Sequence, residues 1–128
     1  MSAGIGLPIW RDCNRLLLEI EQSVRGFPRY HKYTVGADMR RQAMVICRLL
    51  VRALDAERDK KLYQVRQMRL AIDDLKVMIQ LAKEIKAFMN FQQFQVVSEL
   101  VVTIGKQGGA WCRQLTQRIA RPESEVGV

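Results

Sequence analysis

Basic side chains repeat at helical spacing in three segments of this 128-residue chain, and they are its best candidates for binding a ligand. Lysines and arginines three, four or seven residues apart share one side of a helix, where they can contact successive phosphates of a polyanion. The candidate nucleic-acid contacts are Arg40, Arg41, Arg48, Arg52, Arg66, Arg69, Lys76, Lys83, Lys106, Arg113, Arg118 and Arg121.

The alternative interpretation of these stripes is a solvated helix face stabilised by pairs of opposite charge. Asp73 and Glu84 can pair with a few of the cations, but no acidic residue lies between Leu100 and Arg121. The binding interpretation is therefore favoured, most strongly for the segments around Arg48 and Arg113. No base-reading element is recognisable, so we expect contacts to the nucleic-acid backbone that are largely independent of sequence.

The overall charge supports the same class of partner. Twenty-one Lys and Arg residues stand against 13 Asp and Glu residues, which gives a net charge of +8. A basic protein of this kind attracts DNA, RNA or an anionic membrane surface. No segment is apolar enough to cross a membrane, and no signal peptide is recognisable, so we expect a cytoplasmic protein without a membrane partner.

Catalytic and metal-binding patterns are missing from the sequence. It has no HExxH motif, no phosphate-binding glycine loop and no Gly-x-Ser-x-Gly motif. His31 is the single histidine, and the three cysteines, Cys13, Cys47 and Cys112, are far apart and fit apolar helix faces. We therefore expect no enzymatic activity, no metal, no cofactor and no small-molecule substrate.

The apolar spacing predicts an all-α protein with four helices. The first runs from Pro8 to Arg25, and the second from about Val35 to Leu54 with Thr34 as its N-cap. The third runs from about Lys60 to Met89 with Asn90 as a left-handed cap, and the fourth from Phe91 to Ala120. Short connections predict an up-down-up-down antiparallel four-helix bundle over residues 1–121, followed by a disordered acidic tail over 122–128.

Two features indicate close packing beyond the bundle seams. Gly105, Gly108 and Gly109 lie inside the fourth helix, where each costs up to about 1 kcal/mol relative to alanine. They allow close approach either within the bundle or between subunits, and the sequence leaves both open. Five aliphatic residues outside the seams predict self-association: Leu49, Val51, Leu70, Val96 and Val102.

The stretch FPRYHKYTVGADMRRQAMVICRLLVRAL (residues 27–54) carries a family resemblance. Pro28, the pair Tyr33-Thr34 and the run Arg40-Arg41-Gln42-Ala43 resemble the motif of a four-helix-bundle family that includes proteins encoded in intervening sequences of ribosomal RNA genes. Within it the chain is most similar to the Avd proteins, the accessory variability determinants of diversity-generating retroelements. The resemblance implies a homopentamer that binds nucleic acid and a reverse transcriptase during mutagenic retrohoming.

Other functions remain open from the residues alone. The main alternative is a structural oligomer, or a ribosomal-RNA-associated bundle, that has no reverse transcriptase partner and whose charge only keeps it in solution. An enzyme of unrecognised type is a third alternative, which would need polar residues clustered on the apolar seams. Salt-sensitive binding of nucleic acid distinguishes the first function from the others.

Overall fold

The computed structural model describes residues 7–120, and these form four long helices and one short one. The helices are α1 (Pro8–Arg25), α2 (Arg29–Lys32), α3 (Val35–Asp55), α4 (Arg58–Glu84) and α5 (Phe91–Ala120). No strand occurs within the described range. The expected all-α class is confirmed, whereas Arg121 and the predicted tail over 122–128 lie outside the described residues.

The four long helices form a closed ring of neighbours. Helix α1 packs against α3 and α5, and α4 packs against the same two helices, so that α3 and α5 occupy diagonal corners. Because each connection is short, consecutive helices must run in opposite directions. The predicted up-down-up-down bundle is therefore confirmed, with the short α2 inserted into the connection between α1 and α3.

The apolar seams meet in one core, as the 3.6-residue period requires. On α4, the six apolar residues that recur at spacings of three and four are all buried: Val65, Met68, Ile72, Leu75, Ile79 and Ala82. The other helices agree except at Leu17, Val35 and Trp111, which are half-buried at the rim of the core. Of the five aliphatic residues placed outside the seams, only Leu70 and Val102 are exposed, because Leu49, Val51 and Val96 lie half-buried between neighbouring helices.

The end of α4 differs from the prediction. The helix stops at Glu84 instead of Met89, and Lys86 adopts a left-handed conformation with φ of 60°. The backbone N–H of Ala87 donates to Ala82 O at 2.9 Å, and that of Lys86 donates to Lys83 O at 3.0 Å, which is the hydrogen-bond pattern of a Schellman motif. Asn90 does not cap α4; its Oδ1 accepts from the backbone N–H of Gln93 at 2.9 Å and caps the start of α5.

The start of α3 and the turn between α3 and α4 also differ from the prediction. Thr34 precedes α3 but makes no cap, because its hydroxyl donates to Tyr30 O at 3.0 Å in the preceding turn. Helix α4 begins at Arg58, two residues earlier than predicted. Lys61 Nζ donates to Ala53 O at 2.7 Å and to Leu54 O at 3.0 Å. It thereby satisfies carbonyl groups at the C-terminus of α3, where no glycine caps the helix.

Candidate nucleic-acid interface

Glycines on α5 form the floor of a cationic groove along α4, which we call the α4/α5 groove and define by Gly105, Gly109, Arg69, Lys76 and Arg113. A Cβ atom on Gly105 would lie 2.9 Å from Lys76 Nζ. A Cβ atom on Gly109 would lie 3.5 Å from Arg113 Nη1 and 3.6 Å from Arg69 Nη2. The glycines therefore pack within the chain and leave room for basic side chains that cross from α4 onto α5.

The guanidinium groups of Arg69 and Arg113 both lie close to Gly109 in this groove. Both approach the same point above Gly109, and neither forms an ion pair with a carboxylate of residues 7–120. Two positive charges near one point repel each other. A phosphate group that contacts both would replace this repulsion by two charge-assisted hydrogen bonds. Lys106 is exposed one heptad before Arg113 and shares its side of α5.

The remaining candidates on α4 are only weakly neutralised. Lys76 lies 3.7 Å from Asp73, and Lys83 lies 3.8 Å from Glu84 and 5.2 Å from the centre of the Phe94 ring. Arg66 is exposed one turn before Arg69. Because exposed ion pairs contribute at most about 1 kcal/mol, these contacts can be exchanged for a phosphate.

The arginines of α3 belong to a different corner of the bundle. Arg40 donates to Glu21 of α1 at 2.6 Å, and Arg41 donates to Asp38 at 3.0 Å, so both already have carboxylate partners. Arg48 and Arg52 are exposed and have no ion pair within residues 7–120. Since α3 and α5 are diagonal, the predicted stripes form two separate basic surfaces.

The last predicted contacts lie at the far end of α5. Arg118 lines a cleft with Arg58 and Lys61, close to the point where Lys61 Nζ stands 6.0 Å from the centre of the Trp111 ring. Arg121 lies outside the described residues. This cleft contains three cations and the apolar side chains of Leu115 and Ile119.

Sequence reasoning missed a third basic region. It lies at the end of the bundle that contains the connection from α1 to α3 and the connection from α4 to α5. Tyr30, Tyr33 and Phe91 are strongly exposed there, beside several cations. The signal was visible in the segment FPRYHKYT, which combines aromatic and basic residues. The sequence predicts a connection here, because Gly26 followed by Pro28 is a strong signal for the end of a helix.

The titratable groups elsewhere have structural surroundings. Burial raises the pKa of the Cys13 thiol to about 12, and burial also raises the pKa of Cys47. Partial burial opposes ionisation of Asp12, but hydrogen bonds from Gln107 at 2.9 Å and from Arg11, with the charges of Arg11 and Arg15, lower its pKa overall. No group of three or more metal-ligating side chains occurs in residues 7–120.

A cavity of about 570 Å³ lies between the start of α1 and α5. Its walls include Leu7, Ile9 and Trp111 together with the amides of Gln107 and Gln114, and none of its lining residues is an acid, a base or a thiol. The amide oxygen of Gln107 is buried there without a hydrogen-bond partner in the described structure.

Comparison with known proteins identifies one family. The sequence model of a family described as bAvd-like matches residues 9–115, which span all five helices except the end of α5 and the first residue of α1. No curated protein matches the chain. None of the helices within residues 7–120 is long and apolar enough to span a membrane.

Proposed function

Because the chain belongs to the bAvd-like family, we propose that it is an accessory protein of a diversity-generating retroelement. Proteins of this family are non-catalytic. In this proposal the chain binds RNA, DNA or their hybrid, assists a reverse transcriptase in mutagenic retrohoming, and acts in the cytoplasm as a homo-oligomer, with five subunits suggested by the resemblance.

One observation carries the nucleic-acid part of the proposal. Arg69 and Arg113 extend over the glycine floor of the α4/α5 groove, and neither forms an ion pair with a carboxylate of residues 7–120. The packing of two long helices brings these guanidinium groups together before a phosphate binds. Such preorganisation reduces the side-chain entropy that is lost on binding. The net charge of +8 adds long-range attraction.

The groove provides phosphate contacts without a means to read bases. Its floor is glycine, and its walls are the aliphatic stems and charged ends of Arg69 and Lys76. Contacts of this kind position a nucleic acid and carry no sequence information. An accessory protein that serves a template and its copy needs this tolerance.

An exposed apolar stripe on α4 supports the protein-binding part of the proposal. Tyr63, Leu70, Val77 and Leu81 lie on its outer side and are each more than half exposed. The first three are seven residues apart, a spacing typical of helix-to-helix contacts. A second subunit or the reverse transcriptase would cover this stripe.

The test compares charge reversal in the groove with charge reversal elsewhere. Arg69→Glu with Arg113→Glu should weaken binding of a duplex at least about tenfold at 50 mM salt, because two phosphate contacts become repulsions. Arg15→Glu with Lys60→Glu is the matched control, since both residues are exposed outside the groove and, like Arg69 and Arg113, form no ion pair within residues 7–120. Equal loss in both variants would show that only total charge matters.

A purely structural oligomer is the second candidate, and the stripe on α4 is the observation that favours it. It predicts that light scattering finds a defined oligomer, whereas the protein at 50 mM salt retains neither RNA nor DNA. In that case Leu70→Lys should dissociate the oligomer. The accessory function instead predicts binding that weakens steeply between 50 and 200 mM salt.

A further inference from the structure

Aromatic residues are concentrated at one end of the bundle. Six of the nine Phe, Tyr and Trp residues lie in two segments, residues 22–37 around α2 and residues 85–98 around the start of α5. The two segments meet, because the rings of Phe27 and Phe88 are 5.2 Å apart between centres. We call this region the aromatic end and define its surface by Tyr30, Tyr33 and Phe91.

The aromatic end has an inner and an outer layer. Phe27, Phe88 and Phe94 form the inner layer, in which Phe88 and Phe94 are also in edge contact at 5.7 Å. Phe27 and Phe94 are buried, so these rings belong to the core and fix the connections. The outer rings, Tyr30, Tyr33 and Phe91, are 80%, 71% and 65% exposed.

The outer rings lie among cations that have no acidic neighbours in these segments. Residues 22–37 and 85–98 contain Arg25, Arg29, Lys32 and Lys86 but no Asp or Glu. Three of the four bordering carboxylates have basic neighbours, since Glu21 accepts from Arg40, Asp38 accepts from Arg41 and Glu84 lies 3.8 Å from Lys83. The fourth, Glu99, accepts from Gln95 at 3.3 Å. The charged side chains of these two segments are therefore all basic, while Glu19 of α1 lines a neighbouring cleft with Asn90 and Gln92.

Exposed aromatic rings beside cations match the chemistry of single-stranded nucleic acid. Unpaired bases stack on aromatic side chains, while neighbouring Arg and Lys side chains follow the backbone. A duplex cannot use such a surface in the same way, because its bases already stack on one another and present only their edges. The α4/α5 groove, by contrast, has no exposed ring among its defining residues.

We propose that the aromatic end binds unpaired bases of single-stranded RNA or DNA by stacking on Tyr30 and Tyr33, with Arg29, Lys32 and Lys86 on the flanking phosphates. This rests on the proposed nucleic-acid function and adds a second, structurally distinct contact to it. The α4/α5 groove holds backbone phosphates of any strand, and the aromatic end distinguishes a single strand from a duplex.

The experiment measures binding of one oligonucleotide of about 20 nucleotides, alone and annealed to its complement. Tyr30→Ala with Tyr33→Ala should weaken single-strand binding by about fivefold to a hundredfold, and duplex binding by less than about twofold. Met44→Ala is the control, because Met44 is 49% exposed on α3 and lies outside both the aromatic end and the apolar stripe on α4. Tyr30→Phe with Tyr33→Phe should keep single-strand binding, since stacking needs the ring and not the hydroxyl.

Each outcome distinguishes the two proposals. Unchanged single-strand binding in the alanine variant, with salt-sensitive duplex binding intact, overturns the aromatic end alone. Equal losses in the alanine and phenylalanine variants also overturn it, because they assign the effect to the hydroxyl groups. A wild-type protein that binds neither oligonucleotide at 50 mM salt overturns the proposed function itself.

A second measurement avoids dependence on a folded variant. Ultraviolet cross-linking of the wild-type protein to the single strand, followed by peptide mapping, should place the cross-links in the segment Arg29–Thr34. Cross-links confined to α3 or to the far end of α5 would overturn the proposal. Circular dichroism and thermal unfolding confirm that each variant retains the bundle.

Discussion

The α4/α5 groove and the aromatic end both present cations that form no ion pair within residues 7–120, apart from Lys76 beside Asp73, yet the groups between the cations differ. In the groove, Gly105 and Gly109 remove side-chain volume, so Arg69 and Lys76 rest on the backbone of α5. At the aromatic end, Tyr30 and Tyr33 alternate with basic residues along the chain, and their rings and that of Phe91 are exposed to solvent. The two surfaces therefore carry similar charge but differ in shape, since the groove has a floor of glycine and the aromatic end has exposed rings.

The difference follows from where each region lies in the fold. The cations of the groove repeat at heptad spacing on two long helices, so their separation is set by helix geometry. The cations of the aromatic end come from two connections that the inner rings hold together. A regular row suits the regular phosphates of a backbone, whereas a cluster of rings suits bases that have left the stack.

The largest effect is expected from Gly36→Ala, which would damage the aromatic end and leave the groove intact. A Cβ atom on Gly36 would lie 2.8 Å from Val24 Cγ1, 3.1 Å from the backbone oxygen of His31 and 3.2 Å from Phe27 Cδ2. Overpacking of this kind costs about 1 to 3 kcal/mol. Urea unfolding measures the loss, and single-strand binding should fall more than duplex binding. An unchanged free energy of unfolding would contradict the tight packing that holds α2.

The salt dependence of binding should separate the two regions at about the tenfold level. Arg69→Gln with Arg113→Gln removes two phosphate contacts, so the slope of log K against log salt for a duplex should fall by about 1.8. Between 50 and 200 mM salt this changes the ratio of affinities by about tenfold. The Tyr30→Ala and Tyr33→Ala variant should keep the wild-type slope. A reduced slope in the tyrosine variant would mean that the rings only position cations.

A smaller effect of opposite sign is expected from Gly109→Ala in the floor of the groove. The new Cβ atom would meet Arg113 and Arg69 at 3.5 and 3.6 Å, which are ordinary contact distances. Because alanine is the better helix former, the free energy of unfolding should rise by about 0.5 to 1 kcal/mol. Thermal and urea unfolding test this against Gly36→Ala. Destabilisation by both alanines would show that the groove has no spare volume.

The periodic parts of the molecule could be predicted from the sequence, and the connections could not. Residues such as Val65, Met68 and Ile72 repeat so regularly that burial on one seam is the only consistent outcome. The end of α4 is different, because apolar residues continue past Glu84 while the chain turns at Lys86. A lysine in a left-handed conformation has no local sequence signal, since glycine is the residue expected there.

The candidate site was predictable only as a set of helix faces. Arg69 and Arg113 were found from spacing, and spacing could not show that Gly109 brings them together. Arg40 was found in the same way, but its bond to Glu21 joins residues far apart in sequence. The aromatic end could not be predicted, because Tyr30 and Phe91 belong to segments far apart in the sequence. The packing of Phe27 on Phe88 brings these segments together.

The smallest expected effect tests whether the conformation and the charge of Lys86 can be separated. Lys86→Gly should raise the free energy of unfolding by about 0.5 kcal/mol, because relief at φ of 60° is partly offset by the larger conformational entropy that glycine loses. The same change removes one cation from the aromatic end, so the salt slope for single strands should fall by about 0.7 while the slope for duplexes stays constant. Lys86→Gln is the control, since glutamine also lacks the charge but keeps the cost of a left-handed conformation. The contrary result is that both variants lower the salt slope for duplexes as much as the slope for single strands. That result would mean that Lys86 acts only through the net charge of the molecule. The division between the groove and the aromatic end would then have no electrostatic basis.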